Sequence, residues 1–149
     1  MEITNYEYKT EPYQHQQEVL ETSAYKNLYA LFLEMGLGKS KILLDNLAIL
    51  FKQDEVSGAV IVAPKGVLSN WSENEIARHM PDDIERNVLV WQSNHTQRWT
   101  KAFKDMVEED STGKLNILLV NVEAFATTKG CQHVEEFLNT HNCMFVIDE

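Results

Sequence analysis

Cysteine is almost missing from this chain of 149 residues, which has only Cys131 and Cys143. Both fall late, and Cys143 opens an apolar run, so they are expected as reduced interior thiols and not as a disulfide framework. Long apolar stretches are missing too. No run approaches the roughly 20 residues that span a bilayer, and the N-terminal "MEITNYEYKTEP" has neither the basic nor the apolar region of an export signal. These absences lead to the expectation of a soluble, cytoplasmic protein with no membrane partner. Basic residues are scarce, with 13 Lys and Arg against 23 Asp and Glu and a formal net charge of −10. That balance excludes a chain that coats nucleic acid with its whole surface, but leaves room for a local basic groove. Most of the acid sits in stretches such as "MVEED" and "MPDDIE", whereas Lys39, Lys41 and Lys65 lie beside the loops that carry motifs. Internal repeats, low-complexity tracts and a linker long enough to divide the chain are absent as well. With 44% hydrophobic residues, residues 1–149 are expected to form one domain around one core.

What is present alternates. Four short apolar runs, "NLYALFL" (27–33), "GAVIVA" (58–63), "LNILLVNV" (115–122) and "CMFVID" (143–148), are bounded by turn residues, and "NVLVWQ" (87–92) is a weaker fifth. Continuous apolar runs of this length suit strands buried on both faces of a parallel sheet. Between them lie segments of helical period. Ile42, Leu43, Leu47, Ile49 and Leu50 follow one loop, and Trp99, Phe103, Met106 and Val107 make a stripe at three- and four-residue spacing that is expected to pack in the core. Strand and helix in alternation predict an α/β fold with a mainly parallel sheet flanked by helices and right-handed crossovers.

The stretch "LFLEMGLGKSKILL" (31–44) carries the chemistry. In the phosphate-loop pattern, glycines let backbone N–H groups close around phosphate oxygens, a lysine reaches the β- and γ-phosphates and a hydroxyl binds magnesium. Gly38, Lys39 and Ser40 fit the end of that pattern. The first signature glycine would fall at Leu33, and the extra glycine is instead Gly36. An apolar strand before the loop and an amphipathic helix after it would set a phosphate at a helix N-terminus, where the dipole favours it. The alternative is a glycine-rich turn with an incidental lysine. The end of the chain, "CMFVIDE", is an apolar strand closing on two acids. Asp148 is expected to hold a metal at the strand edge and Glu149 to orient or deprotonate a water. The alternative there is a solvated acidic end.

Taken together, "EMGLGKS" (34–40) and "FVIDE" resemble motifs I and II of the helicase-like ATPases of superfamily two, and within it the SNF-type DNA translocases. The resemblance implies a three-layer, RecA-like phosphate-loop NTPase domain. Nucleotide would be held by Glu34, Met35, Gly36, Leu37, Gly38, Lys39, Ser40 and Lys41. Lys39, Asp148 and Glu149 would serve catalysis, and Ser40 and Asp148 the Mg2+ of Mg-ATP. Upstream, "EPYQHQQ" is similar to the adenine-recognition segment, with Gln14 on the adenine edge and Tyr13 packing nearby. The motif's other reading is a turn starting a polar helix, with Pro12 near its first turn. "IVAPKGVLSNWSENE" resembles motif Ia, and "LLVNVEAFATTKG" occupies the place of motif Ib. The first implies contacts of Pro64, Lys65 and Asn70 with a nucleic-acid backbone, the second contacts of Asn121, Thr127, Thr128 and Lys129. Leu68 and Trp71 also match motif Ia, and Trp71 is expected to pack.

The resemblance covers the chain as the first of two RecA-like lobes, stopping at motif II. The second lobe supplies the arginine for the transferring phosphoryl group, worth roughly 10³–10⁵ in rate, so this chain alone is expected to hydrolyse ATP slowly or not at all. The implied activity is ATP-driven translocation on duplex DNA. Alternatives are another superfamily-two motor, such as a restriction-type translocase or a helicase, and a non-catalytic single-lobe module. Cys131, His133, His141 and Cys143 form a C-x-H…H-x-C pattern, but a helix between the pairs would keep them from converging on zinc. Nothing marks a nucleophile elbow for Ser-His-Asp chemistry.

Overall fold

The computed structural model describes residues 6–23, 38–108 and 113–148. The expected strand at 27–33, the loop residues Glu34, Met35, Gly36 and Leu37, and Glu149 lie outside the described residues. Four strands are seen among the described residues, β1 (Gly58–Val62), β2 (Arg86–Val90), β3 (Leu115–Val120) and β4 (Cys143–Ile147), matching four of the five apolar runs. All pair in parallel, in the order β2-β3-β1-β4. Val62 is level with Val120 on one side and Ile147 on the other, so the strands end along one edge.

Six helices occur among the described residues: α1 (Gln14–Ser23), α2 (Lys39–Lys52), α3 (Lys65–Asn70), α4 (Ile76–His79), α5 (Gln97–Val107) and α6 (Thr128–Thr140). A π-helical turn, Trp71–Glu75, joins α3 to α4, and a 3₁₀ turn, Val122–Ala126, precedes α6.

The period of two along the strands sorts the side chains into two cores. Ala59, Ile61, Leu115, Ile117 and Leu119 face Leu44 and Leu47 of α2, Leu68 of α3, Trp71 and Ile76. Val60, Val62, Leu118 and Val120 face Trp99, Phe103 and Met106 of α5 and Val134 and Phe137 of α6. The result is three layers, helices on both faces of a parallel sheet, because every residue of β1 and β3 is buried and each face must be covered. Fully burying a residue such as Phe137 contributes about 1.5–3 kcal/mol. The Trp99–Phe103–Met106 stripe packs in the core as expected.

Side-chain caps fix where two helices begin. The Thr96 hydroxyl accepts from the Trp99 backbone N–H at 3.1 Å, and that of Thr127 from Gly130 at 3.0 Å. His141 ties the layers together, its Nδ1 2.9 Å from Ser57 Oγ before β1 and its Nε2 2.6 Å from the Met106 carbonyl on α5. The other members of the cysteine and histidine pattern have separate partners. His133 Nδ1 meets the Lys129 carbonyl, and the Cys131 and Cys143 thiols donate to Phe125 and His141 carbonyls. Burial pushes the half-buried Cys143 thiol up to about 12, so it is unreactive, whereas Cys131 is exposed and not the interior thiol expected. No group of three or more His, Cys, Asp or Glu among the described residues is placed to hold a metal ion.

Candidate functional site

Gly38 sits immediately before α2 with φ 73°, ψ 44°, the left-handed region where a Cβ is strained. The space above it is also taken. A Cβ added there would lie 2.1 Å from Gln16 Nε2, whose amide donates to the Gly38 carbonyl at 3.4 Å. The backbone therefore turns into the helix in a form only glycine takes without strain. The N-terminus of α2 begins at Lys39 and Ser40, so its first N–H groups and dipole are directed at the turn.

Ser40 Oγ donates to Glu75 Oε2 at 2.9 Å. On the same π-helical turn, the Trp71 indole N–H donates to Asp148 Oδ2 at 3.3 Å. Asp148 is half-buried just beyond β4, and its backbone N–H extends the ladder to the Val62 carbonyl at 2.7 Å. One turn of helix thus grips both the loop serine and the strand-end aspartate. Trp71, expected only to pack, does pack, at 2% exposure, and is also the residue that fixes Asp148. Both Ser40 and Asp148 offer hard oxygen donors. Magnesium keeps several waters and takes one or two protein oxygens plus substrate phosphates, so this donor set fits it.

Two residues expected at the nucleotide lie differently. Lys41, one step past Ser40, points into the interior at 4% exposure. Its ammonium lies 2.8 Å from Asp45 Oδ2 and 2.6 Å from the Thr10 carbonyl, over the Tyr8 ring. Gln14 is exposed and donates to Glu18 at 3.0 Å, while Gln16 is the buried glutamine that reaches Gly38 and also accepts the Tyr13 N–H at 2.8 Å. Tyr13 is 73% exposed and stacks on His15. The exposed Tyr13 ring, stacked on the half-buried His15, offers a flat face to a base.

The residues expected at nucleic acid gather along the strand-end edge. Pro64 and Lys65 follow β1, Asn121 follows β3, and Thr128 and Lys129 open α6, all but Asn121 exposed. The carboxylate of Glu123 sits among them, held below its ordinary value by its own backbone N–H, by Asn121 and by the charge of Lys65. Three of the expected residues have protein partners. Asn121 Nδ2 donates to Glu123 at 2.7 Å, Asn70 Oδ1 accepts from Asn74, and Thr127 Oγ1 donates to the Ala124 carbonyl while capping α6.

A parallel three-layer sheet whose left-handed glycine turn opens a helix, with an aspartate fixed at a strand's end, defines a RecA-like α/β domain. The family model for the SNF2-related domain matches residues 14–149, and the chain belongs to that family of helicase-like, nucleotide-binding ATPases. No curated protein sequence matches it significantly.

Proposed function

We propose that this chain is the ATP-binding lobe of an ATP-dependent DNA translocase, and that it hydrolyses ATP when completed by a second RecA-like lobe. The observation that carries the reading is the pair of hydrogen bonds at one helical turn, the Ser40 hydroxyl donating to Glu75 and the Trp71 indole donating to the Asp148 carboxylate. Loop and strand-end acid are set relative to one another by a single rigid element, as phosphoryl transfer requires, since its catalysis is mainly positioning and charge neutralisation.

In this reading the backbone around Gly36 and Gly38 and the α2 N-terminus bind the phosphates. Lys39 reaches the β- and γ-phosphates as a point charge. Ser40 and Asp148 would hold magnesium, which supplies charge neutralisation at the phosphates, and Glu149 orients the water. Gln14 and Tyr13 flank the base. Backbone phosphates of duplex DNA lie along Pro64, Lys65, Asn70, Asn121, Thr127, Thr128 and Lys129, contacts that position a strand without reading its sequence.

Calorimetric titration with Mg-ATP tests the phosphate role. Lys39→Ala should weaken binding roughly 10- to 100-fold, the worth of a hydrogen bond to a charged group. Equal affinity in variant and parent refutes it.

A further inference from the structure

The turn Trp71–Glu75 that links Ser40 with Asp148 is π-helical, and π-helical turns are rare and concentrate at functional sites. Its hydrogen bonds reach five residues along the chain where those of the helices it joins reach four. Trp71, its first residue, is buried against the sheet, and Glu75, its last, is half-buried.

Building on the nucleotide reading above, we infer that this turn braces the metal-binding pair and that Glu75 is a positioning residue acting through Ser40. A serine hydroxyl has one proton and two lone pairs. Glu75 Oε2 accepts the proton at 2.9 Å, so the lone pairs are left facing away from the protein acceptor, the state in which an oxygen can serve a cation. Without that acceptor the hydroxyl rotates freely and can spend its proton toward the ligand side.

Glu75 is itself held from two directions. Its Oε2 lies 3.3 Å from His79 Nε2, and its Oε1 accepts from Asn70 Nδ2 at 3.5 Å. His79 Nδ1 in turn lies 2.7 Å from Thr10 Oγ1. The network is complete when His79 carries its proton on Nε2 and Thr10 donates to Nδ1. Glu75 is thus a fixed acceptor, with its carboxylate charge beside Ser40. Trp71 does the matching work at Asp148, fixing one carboxylate oxygen and leaving the other for a ligand.

The test uses the intact chain and a non-hydrolysable ATP analogue, titrated by calorimetry with magnesium chelated away and then at rising magnesium. Glu75→Ala should raise the magnesium needed for half-maximal tightening about ten-fold, the worth of one hydrogen bond to a charged acceptor, and leave magnesium-free affinity unchanged. Glu75→Gln, which keeps the shape and an acceptor oxygen, should shift it less and in the same direction, and is read alone if the alanine variant does not fold. Adding Glu75→Ala to Ser40→Ala should change nothing further. An unshifted magnesium requirement in both Glu75 variants overturns the inference, as does an equal loss with and without magnesium, which marks a merely structural residue. If the parent binds the analogue in neither condition, the nucleotide reading falls first. If the parent binds with magnesium dependence and the variants match it, only the brace is lost.

Discussion

Lys41 and Asp45 lie one helical turn apart on α2, with their side chains only 5% and 1% exposed and 2.8 Å between them. Burial raises the Asp45 carboxyl to about 6 and outweighs the pull of Lys41. The folded chain therefore keeps a proton that the unfolded chain releases near 3.8, so this group's stabilising contribution is full at low pH. It is lost as pH rises from about 4 through about 6. Measured by urea unfolding, the stability of the parent relative to Asp45→Asn should fall across that window and level off above it. A flat difference would show the carboxyl to be ordinary. His79 has the opposite sense, held below its ordinary value by burial and then by Lys41. The sequence put Lys41 with the phosphate loop because it follows Ser40. One step along a helix turns a side chain by about 100°, and here that step is the difference between loop and interior.

Helices and strands were legible wherever their period was strong. The runs that became β1 and β3 are almost wholly apolar because both of their faces are covered, and the Trp99–Phe103–Met106 stripe stayed on one face of α5. The π-helical turn was not legible, since a single extra residue blurs a helical period without announcing itself. Nor was the contact of Gln16 with Gly38, because it depends on which side of α1 packs toward α2. At the start of α6, Gly130 approaches the preceding turn so closely that an added Cβ would lie 2.0 Å from the Ala124 carbonyl oxygen and 2.8 Å from its carbon. Backbone cannot rotate aside as a side chain can. Gly130→Ala should therefore cost about 1–3 kcal/mol in urea unfolding, the range for overpacking, despite alanine's better helix propensity. An unchanged or raised midpoint would show that the turn yields.

At the scale of the molecule, composition said what the surface could not be, and the alternation of runs gave the layers. The partner of the sheet's last strand was not readable from it. β4 pairs with β1 on one side, and among the described residues no strand pairs with its other side. Phe145 and Ile147 are 47% and 69% exposed, against a wholly buried β1. Two exposed apolar side chains on one face of a strand offer a surface to another chain. The isolated chain should self-associate with rising concentration in sedimentation velocity, and Ile147→Lys should shift it toward monomer. Identical profiles for the two would assign the association to another surface.

The strand order also dictates a timetable. Among the described residues β1 has partners only in β3 and β4, and β2 only in β3, so no ladder can close until β3 has been made. Between the synthesis of Val62 and that of Leu115 a ribosome adding about 5–20 residues per second needs roughly 3–10 s. Through that interval β1 has no partner strand among the described residues, and α2, made before it, covers only one of its faces.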